Sequence, residues 1–240
     1  MGTAIVITSG KGGTGKTTST AALSAYLASM GSRVLCVDAD AGLKNLDLCL
    51  GMASCASAYD YGDVLAGRCG AEQAVSGHPD IPGLYLMSAP VEQGAAGLPE
   101  LIAELKSSYD YCIIDCPAGI GSGFREACGG ADSAIIVSAS DPSSCRDSGR
   151  VVQELSGMGI KDCRLIINRV RRGVLRVSGA TLDDAIDSIG ARLLGYVPDD
   201  RNVILAAMNE QPLSLWGKGQ AAEAYKRIAM RMLGKKVPIG

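Results

Sequence analysis

The amino-acid sequence predicts an α/β fold: a doubly wound, mainly parallel sheet with helices on both faces. Three observations predict it. Seven apolar runs, at 4–7, 34–37, 84–87, 111–114, 134–137, 165–167 and 193–197, are too short for helices. Several are rich in Ile and Val, as strands buried on both faces are. Helix-period stretches alternate with these runs, and strand–helix–strand alternation implies parallel strands joined by covering helices. The composition agrees, with 47% hydrophobic but only 4% aromatic residues, so the core is built from Ala, Val, Ile and Leu.

In chain order, the run 4–7 leads through a Gly-rich loop into a helical stretch over 17–30, which Gly31 stops. After the run 34–37, the region 53–82 is richer in Gly, Ser and Ala and reads as a helix or two with loops. The runs 84–87, 111–114 and 134–137 follow, then a helix over 144–156 that Gly157 stops. Beyond 165–167 and 193–197, the last helical pattern places Tyr225, Ile228, Ala229, Met232 and Leu233 on one core-facing side. Lys226, Arg227 and Arg231 lie elsewhere around it, and Gly234 ends it. No repeat or linker divides the chain, so one domain over 1–240 is expected, with a core at 3–235 and a short tail at 236–240.

Composition excludes several function classes. A hydrophobic fraction of 47% against 20% charged excludes an ordinary disordered chain. A formal charge of −2 argues against coating nucleic acid through net charge, although a local basic patch stays open. The nine cysteines include no C-x-x-C pair and sit largely in apolar runs, which reads as small buried thiols in a reducing compartment. The lone histidine, His78, lies in a Gly-Pro-rich stretch and is expected in a loop. No 18-residue apolar stretch and no signal segment is present, so a cytoplasmic protein is expected.

The strongest motif is Gly10-Lys11-Gly12-Gly13-Thr14-Gly15-Lys16-Thr17, directly after the first strand and opening a helix. It satisfies G-x-x-x-x-G-K-[ST] in the context that pattern needs. Glycines let backbone N–H groups converge on phosphate oxygens, and the helix N-terminus adds partial positive charge. Lys16 can reach the terminal phosphates and the Thr17 hydroxyl can ligate Mg²⁺. Two carboxylate sites occur where such a sheet binds ligands. Val37-Asp38-Ala39-Asp40 closes one strand and Ile114-Asp115-Cys116-Pro117 another. Asp115 is the candidate metal ligand. Of Asp38 and Asp40, one can orient the attacking water while the other supports the metal from behind. At a third strand end, the Asn168 amide can pair with an adenine edge and the Arg169 plane can stack on the ring. There is no N-K-x-D guanine pattern, so ATP is expected over GTP.

Lys11 is a second cation inside the loop, which an ordinary phosphate loop does not need; alone it reads equally as a solvated loop lysine. The stretch Lys11-Gly12-Gly13-Thr14-Gly15-Lys16-Thr17-Thr18 resembles the MinD/ParA deviant phosphate-loop ATPase family, motif KGGxGKT[ST]. Asp38-Ala39-Asp40-Ala41-Gly42-Leu43-Lys44-Asn45-Leu46-Asp47 resembles switch I of its MinD branch. Asp115-Cys116-Pro117-Ala118-Gly119-Ile120 resembles switch II, and Gly130-Ala131-Asp132 with Arg146-Asp147 fits the segment beyond. The likeness covers residues 3–239. It implies an ATP-switched, dimerising Mg²⁺-ATPase that positions division machinery, slow alone and stimulated by a partner protein. Lys11 would act in trans on the partner's phosphates and Asp40 would position the water. Asp38 would support Mg²⁺ through its bound water, and Asn45 would lie near the dimer contact. Asn168 would contact adenine, with Tyr196-Val197-Pro198-Asp199-Asp200 as the other wall.

Members of the MinD branch end in an amphipathic membrane helix, whereas Lys235-Lys236-Val237-Pro238-Ile239-Gly240 alone follows Gly234. The polypeptide is therefore expected to bind membranes poorly, leaving peripheral attachment at the inner membrane face open. Three other functions stay in view. A ParA-like DNA-segregation ATPase is favoured only by the cluster Lys161, Arg164, Arg169, Arg171, Arg172 and Arg176, and no specific nucleic acid is expected. The others are a flagellar-number regulator of the same family and an iron–sulfur carrier using Cys112 and Cys116.

Overall fold

The computed structural model describes residues 2–41, 45–90, 96–171, 173, 177, 179 and 181–239. Its first half runs β1 (Thr3–Thr8), α1 (Lys16–Ser29), β2 (Val34–Asp38), α2 (Leu46–Leu50), α3 (Tyr61–Leu65), α4 (Ala71–Ala74), β3 (Val75–Gly77), β4 (Leu84–Met87), α5 (Leu98–Leu105) and β5 (Tyr111–Asp115). The second half runs α6 (Ser122–Gly129), β6 (Ser133–Ser138), α7 (Pro142–Gly157), β7 (Cys163–Val170), α8 (Leu182–Ile189), β8 (Arg192–Pro198), α9 (Arg201–Met208), α10 (Leu213–Trp216) and α11 (Gln220–Met232). Among the described residues these strands form one sheet in the order β3-β4-β2-β5-β1-β6-β7-β8. Every neighbouring pair is parallel except β3 with β4.

Strand pleating divides the apolar residues between two cores. Cys112 and Ile114 of β5 join Val6, Leu35, Val37 and Ile136 on one face. Ile113 joins Ile7, Cys36 and Ile135 on the other, beneath α1 and α11. This two-sided burial is why the strands read as continuous apolar runs.

Seven strands match the sequence expectation, and four details differ. The region 53–82 holds two short helices but also β3, a three-residue antiparallel edge strand that no apolar run announces. Helix α7 begins at Pro142, not Ser144. The Asp141 carboxylate caps it, accepting the Ser144 N–H at 3.0 Å, with proline where no N–H is needed. Gly157 is its last helical residue, and the left-handed stop falls at Gly159, φ 89°. His78 lies in a loop as expected but is buried. Its Nδ1 accepts the N–H groups of Asp80 (3.0 Å) and Ile81 (3.1 Å), and its Nε2 donates to the Leu50 carbonyl (2.9 Å). Arg231, off the apolar face of α11, donates to the carbonyls of Leu194 (2.8 Å), Val237 (3.2 Å) and Pro238, tying the tail to β8. The cysteines are free thiols, with Cys36, Cys112, Cys116, Cys128 and Cys145 buried and Cys55 exposed.

Tyr225, Ile228 and Ala229 of α11 are buried, as the helical pattern predicts. The Ser19 hydroxyl donates to the Gly15 carbonyl at 2.8 Å, so the Tyr225 hydroxyl donates to Ser19 Oγ, also at 2.8 Å. Tyr225→Phe removes this donor without leaving Ser19 unsatisfied, and a loss of about 1 kcal/mol in stability is expected. Equilibrium urea unfolding measures it; an unchanged midpoint would show that the hydroxyl is dispensable.

Candidate functional site

Strands β2, β5 and β1 are adjacent, and their registers bring three chain segments to one edge. Ile7 lies opposite Asp115, and Asp38 lies opposite Asp115 on the other side. The pairing continues past the strands, with Cys116 N–H donating to the Ile7 carbonyl (3.1 Å) and Ala39 N–H to the Asp115 carbonyl (2.9 Å). The loop after β1, Asp115 and Asp38 therefore emerge side by side at the carboxyl ends of the sheet, where open α/β folds bind ligands.

Helix α1 starts from Gly15, φ 98°, with no side-chain cap and no acidic residue in its first turn. Its first N–H groups have no intrahelical acceptor, so the positive end of the helix faces the loop unneutralised, ready for an anion. Lys16 is buried at 7% exposure and forms no ion pair among the described residues. A desolvated cation at an uncapped helix start fits the terminal phosphates of a nucleotide.

The metal-binding expectation rests on Thr17, Asp38 and Asp115, and the structure gathers all three. Asp115 accepts a hydrogen bond from the Thr20 hydroxyl at 2.9 Å, and the Thr17 side chain lies near enough to lower its carboxyl. Burial pushes its carboxyl up to about 6 despite both threonines and nearby Lys16. Asp38 is pushed up to about 7, by burial first and then by Asp115 across the sheet. Two buried carboxylates that repel each other, beside a threonine hydroxyl, form a hard-oxygen donor set that fits Mg²⁺.

Asp40 sits just past β2, where the chain turns back: its N–H donates to Asp38 Oδ1 at 3.0 Å. It is half-buried, close enough that its charge raises both neighbouring carboxyls, and it lines a cleft of about 380 Å³ with Tyr61, Leu98, Pro117 and Phe124. Asn45 precedes α2, while Gly42, Leu43 and Lys44 lie outside the described residues. Lys11 is turned onto its own chain. Its ammonium donates to Ser143 Oγ and lies 3.9 Å from the Asp141 carboxylate, which Ser143 and Ser144 hold down to about 2. Gly10 packs against α7, where a Cβ would lie 2.5 Å from the Asp147 backbone.

The base-reading candidates also converge. A cleft of about 240 Å³ is lined by Gly15, Thr18, Asn168, Arg169, Pro198, Asp199, Ile204 and Tyr225, among others. Strand β7 breaks register between Ile167 and Val170, and Arg169 takes the left-handed conformation, φ 54°, a bulge of the kind found at functional edges. The Asn168 amide is engaged here by the phosphate loop: Nδ2 donates to the Thr14 carbonyl at 2.8 Å and Oδ1 accepts the Arg169 N–H at 2.9 Å. A Cβ on Gly15 would come within 2.3 Å of Asn168 Nδ2, so glycine there serves both the turn and this approach. Sequence reasoning missed Thr20, Ser143, Asp141 and the ion pair of Arg171 Nε with Asp199 Oδ2 at 2.5 Å. Only Thr20 carried a signal, one helical turn after Thr17. In the basic cluster, Arg164 is paired with Asp162 (2.6 Å) and Arg171 with Asp199, while Arg172 and Arg176 lie outside the described residues.

Comparison with known proteins places the chain in a family. Residues 5–213 match the model of the CobQ/CobB/MinD/ParA nucleotide binding domain. The chain is 42% identical over 248 residues to the septum site-determining protein MinD of Bacillus subtilis, covering 100% of this chain and 92% of that protein. Among solved structures it resembles the MinC:MinD cell division protein complex of Aquifex aeolicus, at 35% identity and TM-score 0.92 over 99% of this chain and 98% of that one. It likewise resembles MinD of Pyrococcus horikoshii complexed with Mg-ADP, at 32% identity and TM-score 0.88 over 97% and 96% of the two chains.

Proposed function

Since the chain belongs to the CobQ/CobB/MinD/ParA nucleotide-binding family, we propose that it is a MinD-like septum-site-determining ATPase: one domain over 1–240 that binds Mg²⁺-ATP, dimerises and hydrolyses it slowly. The observation that carries this reading is the meeting of Lys16, the uncapped start of α1 and the buried Asp38–Asp115 pair at one sheet edge. The loop N–H groups and Lys16 hold the phosphates. Thr17, Asp115 and, through water, Asp38 would hold Mg²⁺, which when bound neutralises charge on the phosphate oxygens. Asp40 orients the attacking water, and Asn168 and Arg169 with Pro198 and Asp199 enclose adenine.

Among the described residues no helix is long and apolar enough to cross a membrane, and the protein works in the cytoplasm with a division-machinery protein as its activator or recruiter. The aligned neighbour bound to MinC supports such a partner. Phosphoryl transfer depends on positioned charge, so a switch protein stays slow until a second copy and a partner complete the geometry.

Sedimentation with ATP tests the reading. Asp40→Ala is expected to bind ATP, hydrolyse it at least about tenfold more slowly and accumulate as dimer. Lys11→Ala is expected to bind nucleotide but remain monomeric. Normal dimerisation of Lys11→Ala would remove its role in trans.

A further inference from the structure

We propose that Arg171 sets the nucleobase preference of the cleft by neutralising Asp199, a role that rests on reading the cleft as the ATP site. The bulge at Asn168 and Arg169 delivers Arg171 to the cleft wall, where its Nε donates to Asp199 Oδ2 at 2.5 Å. The same two residues line a second cavity of about 290 Å³, so their ion pair forms part of the wall between the two spaces.

Among the described residues the cleft has two carboxylates, and they are differently engaged. Asp200 is committed to the helices behind it, accepting the N–H of Asn202 at 2.9 Å and of Ala221 at 3.0 Å. Asp199 is therefore the carboxylate left to meet a base, and Arg171 holds it. Guanine presents N1–H and its N2 amino group side by side, a donor pair that a free carboxylate accepts with both oxygens. Adenine offers a single amino donor next to an acceptor nitrogen and gains less from such a group. With Arg171 in place, one Asp199 oxygen is already engaged, so guanine's donor pair meets no carboxylate free to accept with both oxygens and guanine loses that gain over adenine. Arg171 is thus a specificity-determining residue that works through Asp199.

The test is competition of ATP, GTP and N6-benzyl-ATP against a fluorescent ATP analogue, using the full chain with Mg²⁺. For Arg171→Ala the ratio of ATP to GTP affinity is expected to fall at least about tenfold, the scale of one charge-assisted hydrogen bond. Adding Asp199→Asn to that variant is expected to restore the ratio, because the amide keeps one acceptor oxygen but puts a donor where the second oxygen was and carries no charge. An unchanged or larger ratio in Arg171→Ala overturns the proposal, as does a double variant that keeps the gain for GTP. An equal gain for N6-benzyl-ATP overturns it too, since opened space rather than a freed carboxylate would then explain the change. If the unmodified chain binds no ATP, the underlying site assignment fails as well, which separates the two failures.

Discussion

Lys16→Ala is expected to weaken ATP binding by on the order of a hundredfold or more. Removing one partner of a desolvated charge pair costs about 2–5 kcal/mol, because the other charge is left without compensation. Here the loss has a second component. Lys16 helps to hold the Asp115 proton affinity down, so its removal leaves Asp115 more protonated and a poorer Mg²⁺ ligand. Nucleotide titration at fixed Mg²⁺, and Mg²⁺ titration at fixed nucleotide, should both show the defect. Folding should not suffer, since Lys16 is buried without an ion partner among the described residues and alanine suits a helix start. A variant binding ATP within fivefold of the parent would contradict the assignment; a variant that merely unfolds would contradict the stability argument.

The second large effect is a dependence of stability on pH that Mg²⁺-nucleotide removes. In the protein without metal, Asp38 and Asp115 are raised to about 7 and about 6 from an ordinary 3.8. The folded chain therefore binds more protons than the unfolded chain between about pH 4 and 7. Stability from these groups is complete below the unfolded value and is lost as pH rises through the folded values. At about 1.4 kcal/mol per pKa unit, the loss by pH 8 is several kcal/mol, with a ceiling of about 7 kcal/mol because the two carboxyls raise each other. Thermal unfolding in a chelator should show a falling midpoint from pH 5 to pH 8. Saturating Mg²⁺-ATP should flatten or reverse the slope, because bound metal favours the ionised carboxylates. A midpoint that rises with pH in the chelator would refute the coupling.

How much of this was legible in the sequence depended on whether the information was local. The phosphate loop was readable because Gly10 to Thr17 carry the whole pattern within one turn, and seven strands were readable because two-sided burial leaves an unbroken apolar run. Strand β3 was not: Val75, Ser76 and Gly77 show no run, and only pairing with β4 makes them a strand. The end of α7 was misplaced because glycine tolerates helical backbone, so Gly157 and Gly159 look alike until one takes positive φ. Asp38 and Asp115 were legible as strand-end acids, but their mutual effect is a property of register. The contacts Asn168 to Thr14, Lys11 to Ser143 and Arg171 to Asp199 join segments 154, 132 and 28 residues apart, with no periodicity linking them.

The two rims of the sheet carry a consequence for how copies of this chain meet. On one side the last strand is β3, three residues long and antiparallel; on the other it is β8, which ends in Pro198 and so lacks a donor at its tip. The β3 rim is too short to template another strand, while on the seven-residue β8 the Arg231 guanidinium covers the Leu194 carbonyl and Pro198 removes the donor at the tip, devices by which natural sheets blunt their edges. Association that lengthens the sheet is thereby disfavoured, so the proposed dimer would form through the surface at the strand ends. Because that surface is also the proposed nucleotide seat, crowding more molecules together would not by itself build an assembly; the occupant of the seat would decide when one forms and when it comes apart.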